Sequence, residues 1–255
     1  MSCAYISEAS QLDATNKRMY ERLADFIIKQ LDVDRVDIAF EAGCGSGQLT
    51  IPFAKKISSM CELIAYDSWS GPYKRDLGVL KHSLASEGLT DKIKIIKGNV
   101  KQIGIADEKV DLIFSNELFC DLDRNSSELT LKEFYRILKR RGQMVHAELD
   151  PKAENKAQEL LIKADLHYSL ESLPFEGERW FSPTVDELST LIHKNSFVNI
   201  QVSYFKTNLK LGYEAAVEQL RRWKIDMAFV KEHNKELREY GIEYPKEHVI
   251  KCAKQ

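Results

Sequence analysis

The first 150 residues divide into an N-terminal stretch with helical periodicity and a following series of short apolar runs. Met19, Leu23 and Ile27 recur every four residues, which predicts an amphipathic helix over residues 8–31. Five apolar runs then predict buried strands: VDIAFEAG, CELIAYDS, KIKIIKGN, VDLIFSNEL and QMVHAEL. Three stretches between them predict helices: GQLTIPFAKKI, YKRDLGVLKHSLASEGL and SSELTLKEFYRILKRRG.

Strands and helices that alternate with short connections are typical of βαβ units. The pattern therefore predicts an α/β fold with a doubly wound, mostly parallel sheet and helices on both faces. Gly88 is expected to end its helix as a C-cap. The helix over residues 126–142 is expected to end at Gly142. Its inward-facing residues are predicted to be Leu129, Leu131, Phe134 and Leu138.

The alternation of strands and helices ends after Asp150 and Pro151. Residues 154–181 read as a helix and a loop without a strand, and a second helix is expected with Ser182 as its N-cap and Pro183 in its first turn. The run VNIQVSYF predicts a sixth strand, and residues 213–240 predict one long charged helix. The run EHVIKCAK predicts a final strand.

Three glycines lie at alternate positions directly after the first predicted strand. Gly43, Gly45 and Gly47 stand between a buried strand and a helix, where doubly wound sheets bind nucleotide-like cofactors. The dinucleotide fingerprint would need Gly or Ala where Gln48 stands, and the phosphate-binding Walker pattern would need a lysine after Gly47. Glycines kept only for packing of a tight turn remain the alternative.

The pattern acidic-x-G-x-G-x-G, from Glu41 to Gly47, resembles the first motif of the class I methyltransferases that use S-adenosylmethionine. The specific likeness is confined to residues 38–120, although the alternation resembles that family over nearly the whole chain. The resemblance implies a seven-stranded sheet, with the last strand antiparallel between the fifth and the sixth. It also implies S-adenosylmethionine as cofactor and S-adenosylhomocysteine as product, with Glu41 helping to hold the cofactor's amino group.

Further residues follow from the same resemblance. Asp67 ends the second strand, where a carboxylate can accept both ribose hydroxyls, although a turn or capping role is the alternative. Trp69 could pack against the adenine or in the core, Asn99 stands where the family often has Asp, and Val100 could offer its backbone N–H to the adenine. The predicted cofactor-binding residues are Glu41, Gly43, Cys44, Gly45, Gly47, Asp67, Ser68, Trp69, Asn99, Val100, Ser115 and Asn116.

The residues after the fourth strand are expected to line the gap between cofactor and acceptor. The run SNELF lacks the proline motif of enzymes that methylate exocyclic amines of bases. Methyl transfer by in-line displacement requires positioning, and a base only where the acceptor starts protonated, so no metal is predicted. Glu117 and Glu148 are the predicted catalytic residues. His146 and His167 are weaker candidates, and a core role is expected for His146.

An insertion after the fifth strand, over residues 151–197, is predicted to form a helical lid and substrate region. Its aromatic residues either face the acceptor or attach the insertion to the domain. They are His167, Tyr168, Phe175, Trp180 and Phe181. The N-terminal helix could also cover the site, with Tyr5 and Tyr20 as contributors. The chain is thus expected to be one domain: a cap over 1–35, a cofactor-binding core over 36–150, the lid, and closing strands and a helix over 198–255.

Charge and cysteine content narrow the function. The 255 residues include 37 Lys and Arg against 39 Asp and Glu, so no general attraction to nucleic acid is expected. Two basic clusters are interpreted as a helix end and a solvated helix face: Lys139, Arg140 and Arg141; and Arg221, Arg222 and Lys224. The five cysteines form no C-x-x-C pair, and no run of about 18 apolar residues predicts a membrane span.

These features together predict a cytoplasmic S-adenosylmethionine-dependent methyltransferase that acts on a small-molecule acceptor. A protein or RNA methyltransferase of the same fold, or a binding protein that holds the cofactor without turnover, is the alternative. A nicotinamide-dependent oxidoreductase is disfavoured by Gln48. The acceptor atom and the choice between a monomer and a homodimer stay open.

Overall fold

The computed structural model describes residues 8–57, 60–70, 76–172, 183–223 and 225–255. Its centre is a seven-stranded sheet with a separate two-stranded ribbon. The strands are β1 (Ile38–Ala42), β2 (Glu62–Asp67), β3 (Ile93–Lys97), β4 (Val110–Asn116), β5 (Leu138–Leu149), β6 (Phe197–Phe205), β7 (Lys210–Leu211), β8 (Ile242–Glu243) and β9 (Glu247–Lys254).

Helices surround this sheet. They are α1 (Glu8–Ile28), α2 (Thr50–Ala54), α3 (Asp76–Ser86), α4 (Arg124–Ile137), α5 (Lys156–Ser172), α6 (Val185–Lys194), α7 (Tyr213–Arg222), α8 (Met227–Glu232) and α9 (Asn234–Tyr240). None of the helices in the described ranges has the length and apolar character needed to cross a bilayer.

The strand order in the large sheet is β3-β2-β1-β4-β5-β9-β6. Strands β1 to β5 pair in parallel, whereas β9 is antiparallel to both β5 and β6. The predicted fold class and the place of the last strand are therefore confirmed. The chain changes winding direction between β1 and β4, and the carboxyl ends of these strands border the crevice where such sheets bind ligands.

Two apolar layers cover the two faces of the sheet because successive strand side chains point to opposite faces. Ala39 of β1 packs with residues of α1, α2 and α3, and the adjacent Phe40 packs with residues of α4 and α6. Phe53 of α2 stacks on Phe114 of β4 with ring centroids 4.0 Å apart. A third cluster joins α5, α7 and α9 at the side of the sheet, and Leu12 of α1 belongs to it.

The helix predicted to end at Gly142 ends at Ile137 instead. Leu138 continues the apolar spacing of α4, but its backbone is already extended and it begins β5. The basic cluster at residues 139–141 therefore lies in β5, not at a helix end. The pairing of β4 with β5 shifts register there, and Arg141 has φ +62°. Leu129 is 38% exposed, so its predicted inward orientation was wrong.

Two other predicted boundaries differ. The N-cap of α6 is Thr184, whose hydroxyl accepts from the Glu187 N–H while the Glu187 carboxylate accepts from the Thr184 N–H. This reciprocal capping box fixes the helix start after Pro183; Ser182 lies outside the described residues. The single long helix predicted over residues 213–240 is three helices, because Asp226 caps a new helix by accepting from the Ala228 N–H. Lys224, which was named in the second basic cluster, also lies outside the described residues.

Candidate functional site

A cavity of about 850 Å³ opens at the carboxyl ends of β1, β2 and β4. This volume is typical of sites for small ligands. Its floor comes from the loops after these strands. Its walls come from α1, α5 and α7 and from the segment that follows β8.

The glycine loop after β1 is held by hydrogen bonds from β2 and its following turn. The Gly43 N–H donates to the Tyr66 carbonyl at 2.8 Å, and the Gly45 N–H donates to Asp67 Oδ2 at 2.9 Å. Gly45 lines the cavity with φ +50°, and the nearest atom to a Cβ at this position would be 3.9 Å away. The backbone is therefore bare where a ligand can approach it.

Gly47 has a different role from Gly45. A Cβ at Gly47 would lie 2.5 Å from Leu80 Cδ1 of α3, and its φ is +87°. Gly47 does not line the cavity. The packing alternative therefore applies to Gly47, whereas Gly43, Cys44 and Gly45 lie at the cavity surface as predicted for cofactor contact.

Glu41 is a buried carboxylate at the base of this loop. It is 3% exposed, and its Oε2 has no hydrogen-bond partner in the described part of the chain. Burial raises the pKa of Glu41 to about 8; the Thr50 hydroxyl opposes this shift, and the Asp67 charge adds to it. A buried acceptor without a partner is unfavourable, so a cationic donor in the cavity would satisfy Glu41.

The turn after β2 contains three of the predicted residues. Asp67 accepts from the Gly45 N–H through Oδ2 and from the Trp69 N–H through Oδ1, so it both lines the cavity and positions the loop. Each oxygen keeps acceptor capacity for a ligand hydroxyl. Ser68 lines the cavity, and its hydroxyl bonds with that of Ser70 at 2.9 Å.

Trp69 does not face the cavity as the adenine-stacking prediction required. Its indole is 3% exposed in the core, and Nε1–H donates to the Gly45 carbonyl at 2.9 Å. Trp69 therefore supports the glycine loop from behind. It does so with φ +41°, an uncommon conformation for a residue other than glycine.

Asn99 and Val100 line the cavity beyond β3. Asn99 Oδ1 already accepts from the Lys101 N–H at 2.9 Å, so its amide nitrogen is the group that faces a ligand without such a commitment. Among the described residues, the Val100 N–H has no acceptor. The two positions thus offer donors at the far side of the crevice.

The loop after β4 brings Asn116 and Glu117 to the cavity. The Asn116 amide donates to the Ala147 carbonyl and to Glu247 Oε2. Glu117 has φ +47°, and its N–H donates to the same Ala147 carbonyl at 2.9 Å. A strained backbone held in this way is typical of functional sites.

The Glu117 carboxylate has no hydrogen bond or ion pair within the described ranges. Burial, and to a smaller extent the charges of Glu148, Asp165 and Asp121, together raise its pKa to about 8. Tyr20, Tyr244, Cys120 and Glu247 are further titratable neighbours of this carboxylate. Glu117 is therefore the predicted base that the structure places at the cavity.

Glu148 is not at the cavity, which corrects its prediction as a catalytic residue. It is fully buried, and its Oε2 accepts from the Phe119 and Cys120 N–H groups. The alternation of β5 puts Glu148 on the same face as His146, whose Nε2 lies 3.0 Å from Glu148 Oε2. Burial raises the pKa of Glu148 to about 7, and these donors oppose the shift. Glu148 therefore positions the loop that carries Glu117.

Ser115 is also directed away from the cavity, contrary to its predicted contact with cofactor. Its side chain is fully buried, and Oγ lies 2.8 Å from His146 Nδ1. Burial lowers the pKa of His146 to about 3, so the imidazole is neutral. Both ring nitrogens have a buried partner, since Nε2 lies beside Glu148 Oε2 and Nδ1 beside the Ser115 hydroxyl. The core role expected for His146 agrees with this geometry.

Some of the predicted wall residues line the cavity, and others lie outside the described residues. Tyr20 of α1 lines the cavity, whereas Tyr5, Phe175, Trp180 and Phe181 fall in stretches that the structure does not describe. The side chains of His167 and Tyr168 also lie outside the description. Helix α5 contributes Leu161, Ile162 and Asp165 to one wall. A lid function for the insertion stays a prediction.

The C-terminal third of the chain forms a wall of the cavity that the sequence did not predict. Gln219, Arg222 and Trp223 of α7 and its C-cap line the cavity, as does Tyr244 after β8. The charged residues near Arg221 and Arg222 indicated only a solvated face. The amphipathic spacing of Ala216, Leu220 and Gln219 was the available signal, because it predicts a buried stripe on this helix.

The charged side chains of the described lining are mostly acidic. Of the charged residues in the described part of the lining, seven are acidic and two are basic: Glu41, Asp67, Asp76, Glu117, Asp121, Asp150 and Asp165; and Lys101 and Arg222. In the described ranges, no group of three or more His, Cys, Asp or Glu side chains has the arrangement of a metal site. The field in the cavity therefore favours a cationic ligand.

The comparison with known proteins agrees with this geometry. Residues 40–146 match the family model described as a methyltransferase domain. Solved structures with the same fold include proteins described as S-adenosylmethionine-dependent methyltransferases. Residues 40–146 are therefore similar to a methyltransferase domain, and the chain shares the fold of these enzymes, which confirms the resemblance noted in the sequence.

Individual relatives are distant. A demethylmenaquinone methyltransferase of Lactobacillus johnsonii is 27% identical over 119 residues, which are 46% of this chain and 45% of the relative. The crystal structure of YcgJ from Bacillus subtilis superposes with a TM-score of 0.67 at 14% identity, over 91% of this chain and 97% of that one. A geranyl diphosphate methyltransferase solved with S-adenosylmethionine gives 0.57 at 14% identity, over 92% and 85%. The alignment thus spans under half of the curated relative, and the structural likeness concerns the fold.

Proposed function

We propose that this protein transfers a methyl group from S-adenosylmethionine to a small-molecule acceptor. The observation that carries the proposal is Glu41 Oε2, a buried carboxylate oxygen without a partner beside a bare glycine backbone. An ammonium group at this position would replace the missing partner and supply the opposite charge. The amino-acid end of S-adenosylmethionine has such a group.

The neighbouring residues fit the rest of the cofactor. Gly45 leaves room for a ligand to lie against the backbone, and the Asp67 oxygens can accept hydroxyls such as those of a ribose. The Val100 N–H and the Asn99 amide provide donors for the acceptor atoms of a base. Ser68 and Cys44 complete the surface with neutral side chains, because burial raises the pKa of the Cys44 thiol.

The chemistry asked of the chain is mainly positioning. S-adenosylmethionine, when bound, supplies a methyl group on a positively charged sulfur that an acceptor lone pair can displace in line. The protein must hold the acceptor, exclude water and accept a proton where the acceptor carries one. Glu117 faces the cavity and takes that proton in its ionised form; with a pKa of about 8, the ionised fraction is small at pH 7 and grows as the pH rises.

A small acceptor is supported by the shape of the site. Walls from α1, α5 and α7 surround the space beside the glycine loop, and the lining is acidic. Polyanionic nucleic acid is therefore a poor match for the same cavity. The fold alone does not decide this point, since one fold supports many activities.

Calorimetry tests the cofactor assignment directly. We expect S-adenosylhomocysteine to bind and NAD to show no saturable binding. At pH 7, Glu41 is mostly protonated before binding, so binding should release roughly 0.5–1 proton, measurable from buffers with different ionisation enthalpies. Glu41→Gln should abolish this proton release and weaken binding about tenfold or more.

Glu62→Gln is a matched control, because Glu62 is exposed at the opposite end of β2. It should leave both affinity and proton release unchanged. Transfer of labelled methyl to metabolite, peptide and RNA pools then separates an enzyme from a binding protein. Binding of NAD without binding of S-adenosylhomocysteine would refute the proposal.

A further inference from the structure

Glu117 lies in a part of the cavity where carboxylates and aromatic rings occur together. Its electrostatic neighbours include Asp165 of α5 and Asp121 after β4. Tyr20, Trp223 and Tyr244 line the same cavity. Aromatic faces and carboxylates are the two groups that bind organic cations in proteins.

Gln219 supplies a second, independent indication of a ligand. Its side chain lines the cavity and is only 7% exposed, yet Oε1 has no hydrogen-bond partner in the described part of the chain. A buried amide oxygen without a donor is destabilising in the free protein. The site therefore lacks a hydrogen-bond donor, and an acceptor molecule with N–H groups would supply it.

Helix spacing, one ring contact and one electrostatic interaction relate Gln219 to Glu117 through the aromatic wall. Trp223 follows Gln219 by four residues, so the two side chains share one face at the end of α7. The Trp223 ring meets Tyr244 with centroids 5.9 Å apart, and Tyr244 is an electrostatic neighbour of Glu117. The unpartnered oxygen, the aromatic rings and the carboxylate thus border one region.

The nearby cation does not neutralise this region. Arg222 bonds with Glu218 and Asp13, both outside the lining, so these two carboxylates offset its charge. Lys101 lies beside Asn99, in the turn after β3. Among the described residues, the Glu117 carboxylate therefore has no cationic partner.

We propose that the methyl acceptor is a small basic amine, bound as its ammonium form by the Glu117 carboxylate and Gln219 Oε1 against Tyr20, Trp223 and Tyr244. This inference rests on the proposed function, since it names the acceptor class for the same cavity. A neutral phenol or a carbon acceptor would leave the acidic lining uncompensated. An anionic acceptor would be repelled by it.

Glu117 also gives the amine its reactive form. An ammonium nitrogen has no lone pair, so one N–H bond must break before the nitrogen can accept a methyl group. The proton forms an O–H bond with the Glu117 carboxylate, and the electron pair stays on nitrogen. A carboxylate with an ordinary pKa of 4.5 would be a weak base for this step, and the buried position of Glu117 makes it a stronger one.

Binding measurements on the full chain saturated with S-adenosylhomocysteine test this inference without turnover. The probes are three amines, each paired with its alcohol: butylamine with butanol, phenethylamine with 2-phenylethanol, and histamine with 2-(imidazol-4-yl)ethanol. We expect at least one amine to bind about tenfold tighter than its alcohol, the effect of a charge-assisted hydrogen bond. Glu117→Gln should reduce that preference to about threefold or less, whereas Glu62→Gln should keep it.

Gln219→Met, which preserves shape, should also weaken amine binding, by about threefold or more, and it provides a second test should Glu117→Gln fold poorly. Equal binding of every pair, no amine binding up to about 10 mM, or an amine preference that survives Glu117→Gln would overturn the inference. S-adenosylhomocysteine binding in the same samples distinguishes failure of the acceptor class from failure of the proposed function. If S-adenosylhomocysteine binds but the protein does not prefer amines, only the acceptor class is overturned. If S-adenosylhomocysteine does not bind, the proposed function is overturned.

Discussion

The two ends of the cavity are built in different ways. The glycine-loop end comes from residues 41–69, within one strand–helix–strand unit. The acceptor end combines Tyr20, Glu117, Asp165, Gln219 and Tyr244, which lie on five separate segments. A local motif thus defines one end, and only the tertiary arrangement of distant helices defines the other.

The electrostatics of the two ends also differ. Asp67 accepts two backbone N–H groups, and these hydrogen bonds fix the glycine loop and the turn after β2. Glu117 faces the cavity without such donors, and burial among other carboxylates raises its pKa to about 8. One carboxylate is therefore organised for binding, and the other can exchange a proton near neutral pH.

The largest expected effect separates packing from ligand contact within the glycine loop. Gly47→Val places a branched side chain at φ +87°, with Cβ 2.5 Å from Leu80 Cδ1. We expect a loss of about 2–4 kcal/mol in the free energy of unfolding, measured by urea denaturation. Gly78→Ala in α3 is the control, because a Cβ at Gly78 would have no atom within 4 Å. This change should raise the free energy of unfolding by about 0.5–1 kcal/mol. Equal effects of the two changes would contradict this account.

Asp67→Ala is the next largest test, and it acts on the cofactor end. It removes the acceptor of the Gly45 and Trp69 N–H groups along with the predicted ribose contacts. S-adenosylhomocysteine affinity should fall by about 1–3 kcal/mol, as measured by calorimetry. The amine-to-alcohol preference at the acceptor end should change little. Unchanged affinity in a folded variant would show that Asp67 has no part in binding.

A smaller expected effect is the change of folding stability with pH. It tests whether the buried carboxyls have the raised pKa values described above. The folded protein holds Glu41 and Glu117 with pKa values of about 8 and Glu148 with about 7, whereas the ordinary value is 4.5. Above pH 4.5 the unfolded chain has already lost these protons, so a further rise in pH favours unfolding until the folded groups ionise. The buried His146 and His248 have lowered pKa values and act in the opposite direction, because the unfolded histidines lose their last protons between about pH 6.5 and 7.5; this offsets a small part of the fall.

Between pH 6.5 and 8.5 the melting temperature of the unliganded protein should therefore fall, by about 2–4 °C or more. Thermal denaturation followed by circular dichroism measures it. Glu148→Gln should flatten this dependence in part, because it removes one of the carboxyls whose pKa is raised in the folded protein. A melting temperature that is constant or rises over this range would show that the carboxyls are ionised in the folded protein.

The difference between the two ends of the cavity also explains which site residues the sequence could predict. Glu41, Gly45 and Asp67 were predictable because a strand, a turn and a helix place them whatever surrounds the unit. Trp69 was assigned to the adenine, but its indole N–H bonds with the carbonyl of Gly45, a contact that depends on how two loops meet. Glu148 was assigned to the cavity because it is near a strand end, yet strand alternation directs it with His146 into the core.

Gln219 and Tyr244 could not be predicted in the same way. Helix α7 reaches the cavity by packing against α1 and α9, and nothing local to its sequence indicates which face meets a ligand. The parallel core was predictable because each strand is buried on both faces. The end of α4 was not, because Leu138 fits the periodicity of the helix as well as that of the strand.

A crystal structure of the protein with S-adenosylhomocysteine tests the central claim most directly. We expect the ligand along the glycine loop, with its amino group within hydrogen-bonding distance of Glu41 Oε2, its ribose hydroxyls at Asp67 and its sulfur facing the space bordered by Glu117. Binding at another place, or in this cavity with the amino group away from Glu41, would contradict the account.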